Sequence, residues 1–148
     1  MKGAKKLLPL IGFLLAAGVF PAHSDGPILL TVVVRGAEPN QGQILLSLFT
    51  SEETFLKSPL LKKQAPVDER GQAEFHLDNL EPGSYALSAV YDADMSGELN
   101  RGLFGIPTEP VGVSNNAKGF FGPPSYSAAK FSLSESRTLQ ISLTDVKD

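Results

Sequence analysis

Residues 73–91 read AEFHLDNLEPGSYALSAVY. Ala73, Phe75 and Leu77 alternate with Glu74, His76 and Asp78, and a period of two puts the first set in a core and the second in water. Tyr85, Leu87, Ala89 and Tyr91 resume the alternation on one face. Between the two runs, Pro82-Gly83 predicts a type II turn with glycine at the positive-φ position. Two half-buried strands joined by a turn announce a β protein.

The flanks extend that reading. Ile28–Arg35 (ILLTVVVR) is β-branched and nearly all apolar, as suits an inner strand. Gly36–Gly42 (GAEPNQG) is turn chemistry, and Gln43–Thr50 (QILLSLFT) is a second strand, so these two are expected to form a hairpin-like pair. Ser51–Leu56 is the one short helix candidate, capped by Ser51, with Phe55 and Leu56 against the sheet. Lys62-Lys63 reads as a solvated strand edge, because lysine discourages edge-to-edge pairing. Asp68-Glu69-Arg70-Gly71 is a turn. At the end, Phe131 and Leu133, then Leu139, Ile141 and Leu143, alternate across Ser134–Arg137 and predict a closing hairpin. The sum is an all-β chain of about seven strands, a single antiparallel β-sandwich.

After Asp92 the periodicity stops for about 35 residues, long for a connection without structure in a compact domain. Glycines and prolines fill it, but so do Leu103, Phe104, Ile106, Val111, Val113, Phe120, Phe121 and Tyr126. That apolar content predicts an ordered loop, with a short strand near Val111–Ser114.

Residues 1–24 have the pattern of a secretory signal peptide: Lys2, Lys5 and Lys6, an apolar run from Leu7 to Phe20, and Ala22-His23-Ser24 before a cut at Asp25. The expected organisation is a leader over 1–24 and a β-sandwich domain over 25–148, in the periplasm or secreted. The whole chain carries 13 basic and 16 acidic residues. Loss of the leader removes three lysines, which leaves 10 basic residues and a formal charge of −6. An acidic protein of this kind is not expected to bind nucleic acid or anionic membrane surfaces, nor to insert into a membrane after cleavage; a monomer with a protein or glycan partner is expected. There is no cysteine, and after cleavage His76 is the one histidine. Disulfides, thiolate sites and multi-histidine zinc sites are thereby excluded, and a Ser-His-Asp triad would have to use His76. No G-x-S-x-G motif is present. The expectation is no enzyme. A hydrolase using a carboxylate pair from Asp92, Asp94, Glu98 or Glu109 is the minor alternative.

One constellation carries chemistry. In Asp92-Ala93-Asp94-Met95-Ser96-Gly97-Glu98-Leu99-Asn100, oxygen-bearing side chains recur at every second position around a glycine. Calcium takes six to eight oxygens, and a tight loop supplies them as alternating side chains with a backbone carbonyl. Asp92, Asp94 and Ser96 take the first, third and fifth places of the helix-loop-helix pattern, Gly97 the sixth, Glu98 the carbonyl and Asn100 the ninth. The twelfth place, where a bidentate Glu belongs, is Leu103, and no helices flank the loop. Calcium affinity is then expected at roughly 10⁻⁴ to 10⁻³ M unless Glu109 or another distant acid completes the shell. The competing reading is an ion-free turn whose Asp and Asn side chains bond their own backbone. Glu109, Ser114 and Asn115 form a second polar group. They are read either as an interaction surface within the 105–126 loop, for an envelope protein or glycan, or as partners for loop backbone.

The ordered series Leu-x-Pro-Gly-x-Tyr-Ala, Tyr-Asp-x-Asp-x-x-Gly-x-Leu-Asn, Gly-Ile-Pro-Thr-Glu-Pro-x-Gly-x-Ser-Asn-Asn and Phe-Gly-Pro-Pro-x-Tyr-x-x-Ala resembles the bacterial domain of unknown function 2141 (DUF2141) family, from about Leu30 to Leu143. The resemblance implies a secreted or periplasmic protein and no particular reaction. Sandwich domains with a similar Leu-x-Pro-Gly-x-Tyr run imply, by analogy, a transthyretin-like or immunoglobulin-like fold. The family usually reads His-Asp-x-Asn-x-Asn-Gly-x-x-Asp at the loop. This chain has Tyr91, Asp94, Ser96 and Asn100 at the corresponding places, which leaves the carboxylate count about unchanged.

Overall fold

A computed structural model describes residues 3–4 and 26–146. Apart from residues 3 and 4, the leader expected over 1–24 lies outside the described residues.

Among the described residues eight strands form two sheets: β1 (Ile28–Arg35), β2 (Gln43–Phe49), β3 (Leu61–Pro66), β4 (Gln72–Leu80), β5 (Gly83–Asp92), β6 (Val111–Val113), β7 (Phe131–Leu133) and β8 (Arg137–Ser142). The first sheet has the order β4-β1-β8. The second has the order β3-β2-β5-β6, with β7 also on β5. Their inner faces enclose one apolar core in which Leu30, Val32, Leu77, Leu87 and Ile141 are fully buried. Truncation of such a leucine to alanine would cost about 2–5 kcal/mol.

The alternations of residues 73–78 and 85–91 are borne out. Ala73, Phe75 and Leu77 are buried while Glu74, His76 and Asp78 are exposed, and Tyr85, Leu87, Ala89 and Tyr91 face the core. β3 is the edge of the second sheet and carries exposed Lys62 and Lys63. The turn from β4 to β5 differs from expectation. Gly83 does not have positive φ, and Asn79 (φ 57) takes the left-handed position instead. The Tyr85 hydroxyl then donates to the Glu81 carbonyl at 2.7 Å and braces the crossing between the sheets.

Two expected hairpins are absent. β1 and β2 lie in different sheets, and so do β7 and β8. β7 pairs with β5, while β8 runs parallel to β1, with Val32 opposite Leu139. The sandwich is therefore not wholly antiparallel. An arch between sheets and a hairpin within one sheet present the same alternate residues to the same core, so periodicity cannot separate them. Ser51–Leu56 forms turns rather than a helix. Phe55 packs inward as expected, but Leu56 sits at φ 58 and is exposed. Among the described residues the one α-helix, α1, is the single turn Tyr126–Ala129, with Ser125 accepting from the Ala128 N–H.

The 93–130 connection divides in two. Its second part carries β6 at the expected place and is held by a small apolar cluster outside the main core. In that cluster Phe55 meets Phe49 at 5.4 Å and Tyr126 at 5.7 Å, beside Ala86, Val113 and Ala129. The remaining apolar residues do not supply the order that their number suggested. Leu103, Phe104, Ile106, Phe120 and Phe121 all face solvent.

Candidate functional site

Asp92 ends β5 directly opposite Gln43, the first residue of β2. Gly42 precedes it at φ +66, and a Cβ there would stand 2.6 Å from the Asp92 carbonyl oxygen. Only glycine therefore lets the chain turn this close over Asp92. Asp92 is fully buried. Its Oδ2 accepts from Gln43 Nε2 at 2.7 Å and from the Gly97 N–H at 2.8 Å, and its Oδ1 accepts from the Ser96 N–H at 2.9 Å. The carboxylate thus replaces the hydrogen bonds that a buried acid loses with water.

The β5–β6 register brings in a second segment. Val90 pairs with Val111, and the Tyr91 N–H donates to the Pro110 carbonyl at 2.9 Å. The same register, continued by two residues, sets Glu109 opposite Asp92. Between them the chain forms a hairpin closed at its base. The Thr108 N–H donates to the Asn100 carbonyl at 3.0 Å, and the Asn100 N–H donates to Glu109 Oε2 at 3.0 Å.

Asp92, Asp94 and Glu109 consequently present carboxylate oxygens that all lie within 4.8 Å of one another. Glu109 is buried and Asp94 exposed. The Asn100 side chain bridges two of them, with Nδ2 2.8 Å from Asp94 Oδ2 and 3.4 Å from Glu109 Oε1. That bond from Asn100, followed by those from the Ser96 hydroxyl and N–H, holds the Asp94 carboxyl below its ordinary value. The Ser96 hydroxyl is 3.3 Å from Asp92 Oδ1 and 3.1 Å from the Glu98 carbonyl oxygen. Among the described residues, no lysine or arginine nitrogen lies within 4.0 Å of these three carboxylates.

Residues 32–141 match the model of a family described as an uncharacterized protein conserved in bacteria, DUF2141. The chain belongs to the DUF2141 family. No curated protein and no solved structure matches it. In this DUF2141 chain the five loop residues read from the sequence, Asp92, Asp94, Ser96, Glu98 and Asn100, do fall around one point. Glu109 joins them from the other polar group.

Ser114 and Asn115 lie elsewhere. The buried Ser114 hydroxyl accepts from the Leu87 N–H at 2.9 Å and donates to the Ala129 carbonyl at 2.6 Å. Asn115 Nδ2 donates to the carbonyls of Ala128 and Lys130. Both side chains tie α1 and its flanks to β5 and β6. His76 stands on the outer face of the first sheet, with Nδ1 3.3 Å from Thr31 Oγ1 and Nε2 3.1 Å from Glu74 Oε1. Sequence reasoning also passed over Gln43, whose only signal was a polar residue opening an apolar strand.

Proposed function

We propose that this DUF2141 chain is a non-catalytic, extracytoplasmic β-sandwich module whose β5–β6 loop is organised by calcium. One observation carries the reading. Three carboxylates from two separate segments converge within 4.8 Å, two of them buried, and among the described residues no lysine or arginine nitrogen lies within 4.0 Å of them. Like charges held that close repel one another, and a divalent cation relieves the repulsion.

The donor set suits a hard ion. Asp92, Asp94 and Glu109 would be joined by the Ser96 hydroxyl, the Glu98 carbonyl and Asn100. Rotation of the Asn100 amide by half a turn replaces Nδ2 with Oδ1 between Asp94 and Glu109, so one side chain serves the loop with or without the ion. Such a set approaches the six to eight oxygens that calcium takes. The third carboxylate strengthens the site beyond the pair counted within the loop. The donors already on Asp92 weaken it, because its lone pairs are shared. The balance sets affinity at roughly 10⁻⁴ M. Catalysis finds less support: His76 and its neighbours lie on the outer face of the first sheet and are exposed.

Thermal melts in chelator, calcium and magnesium test the reading. At about 10 mM calcium, a hundred times that dissociation constant, binding adds about 2.7 kcal/mol, a rise of several degrees. Glu109→Gln should abolish most of the rise. No calcium-specific rise in the parent chain would leave the carboxylates as an ion-free brace.

A further inference from the structure

An open groove of about 2100 Å³ crosses the outer face of the second sheet between two loop rims. One rim is the hairpin 101–107, closed by a Gly102 N–H bond to the Ile106 carbonyl at 2.8 Å, with Leu103 and Phe104 at its tip. The other is the 119–122 loop with Phe120 and Phe121, whose rings meet edge-to-face at 4.8 Å. Leu103 is 84% exposed, Phe104 97%, Phe120 91% and Phe121 100%. Phe104 (φ 61) and Phe121 (φ 62) also occupy the left-handed region, which bulky side chains disfavour. Each therefore strains the backbone while its ring lies in water, and neither effect helps the chain fold. Large apolar side chains displayed in this way mark a contact surface.

We propose that these two rims dock the protein peripherally on an anionic phospholipid surface. Charge identifies the occupant. Lys57, Lys62, Arg101 and Lys118 line the groove against Glu98 and Asp145, so an acidic protein turns a basic face outward here, while Lys63 reaches away to donate to the His76 carbonyl at 2.8 Å. At physiological salt, charges are screened beyond about 8 Å, and this local balance outweighs the net charge that speaks against membranes. Arg101 and Lys118 stand three and two residues from the apolar tips. Their stems can follow the rings while the charged ends stay with headgroup phosphates. Exposure decides between a bilayer and a protein pocket. Phe104 and Phe121 border the groove yet leave nearly all of their surface in solvent, and a bilayer interface receives such rings without a pocket of matching shape. Phe104 and Phe121 border one groove, so a surface laid across it would meet both rims. Among the described residues no helix is long and apolar enough to cross a membrane, and the contact proposed for the rims is an interfacial one.

The proposal does not depend on calcium, and the experiment is run in chelator. The chain has no tryptophan, so Phe104→Trp and Phe121→Trp each place a single reporter on one rim. Vesicles of equal parts phosphatidylglycerol and phosphatidylcholine should shift both emissions to the blue. Lipids brominated in their acyl chains should quench them, and pure phosphatidylcholine should do much less. Phe104→Gly/Phe121→Gly removes both rings at positions where glycine relieves strain. This variant should melt no lower than the parent chain yet sediment with the mixed vesicles about tenfold less or weaker still. Emission that ignores phosphatidylglycerol vesicles would overturn the proposal and assign the rims to a protein or glycan. Sedimentation unchanged in the double glycine variant would overturn it as well.

Discussion

The two parts of the connection between β5 and β7 are both rich in glycine and are held by opposite physics. Residues 111–130 lie on an apolar cluster of Phe49, Phe55, Val113, Tyr126 and Ala129, pinned by the Ser114 hydroxyl. Residues 93–110 bury almost no apolar side chain and are gathered by Asp92, Asp94, Asn100 and Glu109. The apolar part draws its stability from area removed from water, which neither ions nor mild acid alters. The polar part draws it from acceptors crowded into one place, where under the proposed function a cation would be felt. A loop can therefore be ordered without being buried, and the part ordered by charge is the part suited to respond to its surroundings.

Phe55→Ala should break the comparison most severely. Its ring joins Phe49 to Tyr126, and loss of a buried phenylalanine costs about 3–5 kcal/mol. Denaturant titration should show that loss undiminished by calcium. Asp92→Asn strikes the other part. An amide must turn its NH₂ toward one pair of donors, so about 1–3 kcal/mol should go. Any calcium-induced rise in melting temperature should go with it. Ser114→Ala leaves the buried Leu87 N–H without its acceptor, at a cost of about 1–2 kcal/mol. Hydrogen exchange should then quicken at Leu87 and through 126–130, while 93–110 is unaffected.

The smallest effect sets a scale from outside both parts. Asp68 accepts from the N–H groups of Gln72 and Arg70, with Arg70 beside it at 3.5 Å. The Gln72 N–H is the main cause holding its carboxyl below the ordinary value of 3.8. A carboxylate depressed in the folded state stabilises the fold above its unfolded value and ceases to do so as the pH falls through the folded one. Asp68→Asn should therefore flatten the acid limb of stability slightly below about pH 4, with little change at neutral pH. A flattening at neutral pH would mean that the turn does more than its geometry indicates.

Strands and their buried faces were legible because each depends on near neighbours. The period of two in 73–78 and 85–91 assigned the core before any partner was known. The alternating oxygens of 92–100 marked the loop whose side chains gather around Asp92 and Asp94. Glu109 was legible only as a distant acid, since its place depends on the pairing of Val90 with Val111, a register that no local pattern records. Partners were not legible at all. β1 and β2 separate into two sheets, and β8 runs parallel to β1, because alternation specifies which side of a strand is buried and not which strand lies beside it. Exposure within the long connection was misread for the same reason. Tyr126 and Phe121 are aromatic residues of that same connection, yet Tyr126 packs on Phe55 and Phe121 stands in water. The sequence alone thus determined an all-β chain with an acidic loop. Tertiary structure decided that a third carboxylate closes on that loop and that its aromatic residues face outward. Both outcomes depend on contacts between segments far apart in the chain, which only folding creates.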